Sequence, residues 1–112
     1  MPYQSITEAA NDLRSGMTTP TELLAEALER IDLLDGEIKA FVTVMRDEAM
    51  ADAEKAEQEQ RTGLYRSPLH GIPFGVKDIV AVKDVRLTAG SKVLADYIAT
   101  EDAAVVEQLR RA

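Results

Sequence analysis

The sequence contains no cysteine, which excludes a disulfide framework, a thiolate nucleophile and a Cys-based metal site. Tryptophan is also absent, and His70 is the single histidine. One imidazole cannot build a metal cluster, so its expected role is a hydrogen bond that steadies a turn. Aromatic bulk is limited to two Phe and three Tyr, although 46% of the residues are hydrophobic. Ala is the most frequent apolar residue, and such a thin side chain suits helices laid closely on a sheet. No apolar run approaches the length needed to cross a bilayer. Met1–Ala10 has neither a basic n-region nor an apolar h-region, so no secretory signal is expected. The expectation is a soluble, cytoplasmic protein. No basic cluster is present either, and the net charge of −7 argues against direct contact with nucleic acid. The acidic residues are spread along the chain without a block, which reads as a solvated surface.

At 112 residues the chain has room for one modest core. Ser5-Ile6-Thr7-Glu8 is a capping box, and its helix is expected to stop at Gly16. Thr19 caps a second helix, with Pro20 at the first helical position and Glu22 at the third. Leu24, Leu28, Ile31 and Leu34 recur at helical spacing and give it one apolar stripe, with Gly36 expected at its C′ position. Asp47 opens a third helix that runs to about Gln60 before Thr62-Gly63. That helix carries a shallow side of Ala49, Ala53 and Ala56, with Glu54, Glu57 and Glu59 exposed. Met45 and Met50 read as core filler. A last helix through Val105, Val106 and Leu109 is expected to be capped by Thr100 or Asp102. It ends at Arg110-Arg111-Ala112 without a stop signal. Glu8, Glu22 and Glu101 read as cap or first-turn carboxylates.

Two segments read as strands. Ala40–Met45 is short and β-branched, and Ile72–Val82 is longer and nearly all apolar. With the third helix between them they form a βαβ-like unit, right-handed if the strands are parallel. An apolar strand needs neighbours and cover on both faces, so the chain is expected to be part of a larger domain. Lys77 interrupts the apolar run. Side chains alternate along a strand, which places Lys77 with Pro73, Gly75, Ile79 and Ala81 and sends Asp78 to the opposite face. None of those neighbours can pair with an ammonium. Burial there disfavours the charged form and turns a lysine into a base. A lysine at a strand end with its head in water fits the same pattern, and the pattern alone favours that reading. Asp78 is expected to hydrogen-bond local backbone or a neighbouring loop. Gly71–Asp78 is not a phosphate loop, because its glycine spacing is one short, Val76 precedes the lysine and Asp replaces Ser/Thr.

Leu69-His70-Gly71-Ile72-Pro73-Phe74-Gly75-Val76-Lys77-Asp78, then Thr88-Ala89-Gly90-Ser91-Lys92 and Glu101-Asp102-Ala103-Ala104-Val105-Val106, resembles the N-terminal part of the amidase signature family. Thr19-Pro20-Thr21-Glu22-Leu23 and Ala40-Phe41-Val42 are similar to the family's opening. The likeness spans essentially the whole chain. It departs at Ile79, where many members have Asn, and at Val85-Arg86-Leu87-Thr88, where the family usually has Gly-x-Pro-Thr-Thr.

The resemblance implies an α/β fold, the amidase signature fold, with a mixed sheet core covered by helices. This chain would supply the N-terminal helices and first strands, with residues 1–112 as the N-terminal fragment of a single amidase domain. It implies Lys77 as the catalytic lysine, acting with two serines in a Ser–cis-Ser–Lys mechanism without metal or organic cofactor. Those serines belong to a Gly/Ser-rich segment, and Ser5, Ser15, Ser67 and Ser91 have no such surroundings. Ser91 reads instead as a loop-capping hydroxyl. The implied activity is hydrolysis of a small-molecule carboxylic amide. The amidase-type subunit of a tRNA-dependent amidotransferase is the second reading, with its fellow subunits or a second copy as protein partners. A non-catalytic helical binding module is the third, for the case that the chain is complete.

Overall fold

The computed structural model describes residues 5–112, so the first four residues of the Met1–Ala10 stretch lie outside it. The chain divides into two compact units, Met1–Pro73 and Phe74–Ala112.

The first unit holds three helices, α1 (Ile6–Ser15), α2 (Pro20–Ile38) and α3 (Arg46–Arg61). Both capping boxes form as expected. The Glu8 amide donates to Ser5 Oγ at 3.1 Å while the Glu8 carboxylate accepts from the Ser5 amide at 3.1 Å. Thr19 and Glu22 repeat the exchange at 3.2 and 3.0 Å, and Pro20 needs no donor at the first position. Gly16 adopts φ 77° and stops α1.

α2 does not stop at Gly36, which is helical. The helix continues to Ile38, and Lys39 takes the left-handed position at φ 55°. The terminator is Asp35, whose carboxylate collects the amides of Ala40 and Phe41 at 2.6 and 3.3 Å. α3 begins at Arg46 after Met45, without a side-chain cap.

Ala9 and Leu13 of α1 meet Leu23 of α2 in the apolar centre of this unit, and Ile72 packs against them. Leu24 and Leu28 are buried further along α2, and Ala56 is buried on α3. Polar bonds fix α3 against α2: Thr21 Oγ1 donates to Glu57 at 2.6 Å, and Arg46 meets Asp32 at 2.6 Å. The Thr21 hydroxyl is the main reason the Glu57 carboxyl lies below its ordinary range. Glu57 and Glu59 are thus half-buried and bonded, while Glu54 is exposed as expected. At the end of α1, the Arg14 guanidinium sits 5.6 Å from the centre of the Tyr65 ring.

Glu59 serves the segment that follows α3. It pairs with Arg66 at 3.1 Å and with His70 Nε2 at 2.9 Å. His70 is buried, and its Nδ1 accepts the Arg66 amide at 3.2 Å, so the neutral ring carries its proton on Nε2 toward Glu59. The buried Gln60 amide donates to the His70 carbonyl at 2.9 Å. His70 therefore steadies a turn, as its isolation in the sequence suggested.

The second unit contains α4 (Ala104–Arg111) and a series of turns. A single antiparallel bridge joins Arg86 to Ile98, flanked by Leu87 N–Tyr97 O at 2.9 Å and Ala99 N–Val85 O at 3.0 Å. Val82, Ala99 and Val106 are buried, Val106 to 1% exposure. Neither Thr100 nor Asp102 caps α4; Ala103 occupies that position. The Asp102 carboxylate instead accepts the Lys83 amide at 2.7 Å and pairs with Arg110 at 3.1 Å.

No strand forms among the described residues, so the expected strands at Ala40–Met45 and Ile72–Val82, and the βαβ-like unit built on them, are not present in this chain. Extended segments become strands only when another backbone completes their hydrogen bonds. The second segment instead closes on itself, with the Val80 amide bonded to the Lys77 carbonyl at 2.9 Å. Its apolar side chains do not alternate between buried and exposed: Phe74, Val76 and Ile79 all lie open, Ile79 by 61%.

Gly71 and Gly36 should respond oppositely to alanine. Gly71 has φ 88°, and an added Cβ would meet Pro20 Cγ at 2.8 Å and Gln60 Nε2 at 2.9 Å. Gly71→Ala is expected to cost about 2 kcal/mol. At Gly36 an added Cβ meets nothing within 4 Å and the backbone is helical, so Gly36→Ala is expected to stabilise by about 0.5–1 kcal/mol. Thermal unfolding midpoints of the two variants beside the parent check both signs.

Candidate functional site

The family resemblance implies a catalytic lysine at Lys77. Gly75 and Ile79 flank it two residues away on either side, and all three are exposed. Of the two readings of the pattern, the exposed lysine with its head in water is the one this chain shows, although no strand carries it, and the buried-strand surroundings are absent here. Lys77 opens the turn closed by Val80, and no ion pair or side-chain hydrogen bond engages its amine among the described residues. The expectation that none of its neighbours supplies a counter-charge holds at this turn too.

Asp78, the adjacent residue, is committed elsewhere. One carboxylate oxygen accepts the Thr88 amide at 2.8 Å, and the other forms a very short bond with the Thr88 hydroxyl. The Asp78 carbonyl accepts the Ala89 amide at 2.9 Å. Three bonds thus tie one residue of the lysine turn to two residues of the Thr88–Gly90 loop. The loop is itself tightly wound. Ala89 and Gly90 have φ 49° and 70°, the Gly90 amide bonds Thr88 Oγ1 at 3.2 Å, and the Ser91 amide bonds the Thr88 carbonyl at 2.8 Å. Thr88 is buried. The Thr88 hydroxyl and then its amide pull the Asp78 carboxyl below the ordinary aspartate range against the opposing effect of burial, and Arg86 and the Ala89 amide add to the lowering.

Asp78 thus bonds a neighbouring loop, as its sequence position suggested, although strand alternation is not what directs it there. Thr88 as its partner was not foreseen from sequence. The signal that could have revealed it was the threonine that opens Thr88-Ala89-Gly90-Ser91, a hydroxyl with an amide beside it and a carboxylate ten residues earlier.

The four serines are occupied with nearby backbone. Ser5 caps α1, and Ser15 donates to the Asp12 carbonyl at 3.3 Å. Ser67 accepts the Leu69 amide at 3.1 Å, and Ser91 accepts the Val93 amide at 3.2 Å, the loop-capping role expected of it. Glu8 and Glu22 are cap carboxylates, as expected. Among the described residues, no group of three or more His, Asp or Glu side chains is placed to hold a metal ion, and no helix is long and apolar enough to cross a membrane.

The family model described as Amidase matches residues 22–112, a span that holds Lys77, Asp78 and Thr88 together. The chain belongs to the amidase family. Among its curated relatives, a glutamyl-tRNA(Gln) amidotransferase component of Chromohalobacter salexigens, its A-type subunit, is 40% identical over 112 residues, covering all of this chain and 23% of the relative. An acylamidase of Rhodococcus erythropolis is 38% identical over 110 residues, covering 98% of this chain and 23% of the relative. A solved amidase crystal structure superposes with a TM-score of 0.86 at 37% identity, over 97% of this chain and 25% of that one. This amidase-family chain therefore spans about a quarter of the length of the relatives it matches.

The Asp78–Thr88 lock has a definite pH signature. A carboxyl held below its ordinary value, near 3.8, stabilises the fold at pH above that value. The contribution is lost as pH falls through the lowered folded value, because the unfolded chain then binds the proton more readily. Asp78→Asn removes this dependence. The gap in thermal midpoint between parent and Asp78→Asn is expected to be widest near about pH 7 and to narrow as pH falls below about 3.8.

Proposed function

We propose that residues 1–112 are the N-terminal fragment of a single amidase domain, in which Lys77 is the general base. One observation carries the reading: Lys77 occupies the lysine position of the segment Leu69–Asp78, inside the span matched by the family model. In the complete domain, a mixed sheet covered by helices would shelter the exposed Phe74, Val76 and Ile79 and exclude water around the amine. The neutral amine would take a proton, through a bridging serine, from a second serine. That serine attacks the amide carbonyl while backbone amides near the serines hold the oxyanion; the C–N bond breaks as the proton held by the lysine passes to nitrogen, ammonia or an amine leaves, and water then hydrolyses the acyl–serine to the acid. Both serines would lie outside the 112 residues.

The substrate is then a small-molecule carboxylic amide, in a cytoplasmic enzyme that needs no organic cofactor or metal. The second reading is the amidase-type subunit of a tRNA-dependent amidotransferase, favoured by the name of the 40%-identical Chromohalobacter relative. In that setting the same site would supply ammonia to a partner protein. Against it, the resemblance of Leu69-His70-Gly71 and Lys77-Asp78-Ile79 leans toward a stand-alone amidase, which could assemble with a second copy.

Amide hydrolysis by the complete enzyme tests the assignment. Lys77→Ala is expected to lower kcat by about 10²–10⁴-fold with little change in thermal stability. Lys77→Arg should fail as badly, since a guanidinium does not give up its proton. Near-parent activity in Lys77→Arg would make Lys77 a fixed positive charge and remove the general-base role. The 112-residue chain by itself should turn over no amide, because a base without its nucleophile has nothing to activate.

A further inference from the structure

Lys77 and Asp78 are adjacent in sequence, and a free Asp78 carboxylate would offer the amine a counter-charge. The structure removes that option. Both Asp78 carboxylate oxygens are taken by Thr88, one by its amide at 2.8 Å and one by its hydroxyl, and the Asp78 carbonyl is taken by the Ala89 amide at 2.9 Å. The Thr88 hydroxyl is in turn fixed by the Gly90 amide at 3.2 Å. All of these groups belong to the unit Phe74–Ala112. Arg86 is the cation that acts on the Asp78 carboxylate through space.

We propose that Asp78 and Thr88 are positioning residues for Lys77: their bonds hold the Lys77–Val80 turn in place and sequester the neighbouring carboxylate, so the amine stays unpaired. The inference rests on Lys77 acting as the base and adds the device that keeps it available. An amine paired with a carboxylate stays protonated to higher pH and cannot accept a proton from a serine. Sequestration thus acts in the same direction as exclusion of water. It needs no other part of the domain, since every bond lies within this unit. The turn geometry benefits as well, because the Lys77 carbonyl that closes on Val80 sits beside the anchored residue.

The test uses the complete enzyme and the pH profile of kcat/KM. Thr88→Val keeps the shape of the side chain and the amide bond to Asp78 but deletes the hydroxyl, which frees one carboxylate oxygen to reach Lys77. The acid limb of the profile is expected to move up by about one pH unit, with kcat at neutral pH falling further than KM changes. Thr88→Ser restores the hydroxyl and should recover most of the loss. In the double variant Thr88→Val/Asp78→Asn no carboxylate remains to capture the amine, so the limb should return to its parent position. A merely structural role would lower activity without moving the limb. Thr88→Ala carries the same expectation if the valine variant fails to fold. An unmoved limb in a folded Thr88 variant, with Lys77→Ala and Lys77→Arg both inactive, overturns this proposal and leaves the base assignment standing. Near-parent activity in Lys77→Arg overturns both.

Discussion

Backbone amides without a sheet ladder need other acceptors, and in this chain carboxylates supply several of them beside the carbonyls of turns. Glu8 takes the Ser5 amide, Glu22 the Thr19 amide, and Asp35 the amides of Ala40 and Phe41. Asp102 takes the Lys83 amide and Asp78 the Thr88 amide. Each bond lies where the chain enters or leaves a helix or reverses direction, the places where backbone donors are left over. The acidic excess is thus in part a set of internal connectors, and only the remainder is a solvated surface. Charge-assisted bonds of this kind are stronger than neutral ones, so a chain with little aromatic bulk gains definition at its turns from short polar side chains.

What could be read in advance was local. Ser5-Glu8 and Thr19-Glu22 act over three residues, and both boxes formed where the sequence placed them. Gly16 fell in the left-handed stop position for the same reason. Gly36 did not, because a terminator needs the whole cap, and the deciding group was the Asp35 carboxylate reaching forward to Ala40. The strand readings failed for a reason of reach. Alternation and β-branching state that a segment can be extended, but a ladder depends on a second backbone that composition does not reveal. Asp102 fell between these cases: a sound cap residue by type, it bonds the Lys83 amide nineteen positions away.

The candidate site shows the same division. What the sequence made legible at Lys77 was its lack of an ion-pair partner, through the small and apolar Gly75, Ile79 and Ala81 beside it. Thr88 was not legible as the partner of Asp78, because the loop that carries it closes through φ 49° at Ala89, an unusual conformation for a residue with a Cβ. His70 was placed correctly as a turn residue, yet its partners Glu59 and Gln60 looked like ordinary members of an acidic helix. A carboxylate on a helix face gives no sign in sequence of whether it meets water or a buried imidazole.

The contact between Arg14 and Tyr65 has an optical consequence. With tryptophan absent from the sequence, ultraviolet emission comes from tyrosine alone, and the guanidinium 5.6 Å from the Tyr65 ring ties that fluorophore to the end of α1. Loosening of α1 from the segment after α3 would therefore alter the emission of a half-buried phenol with no brighter indole to mask it. Tyr97 lies in the other unit, exposed and beside the Arg86–Ile98 bridge. Tyr3, Tyr65 and Tyr97 share one emission band, so the Arg14 contact is read as a change in that total.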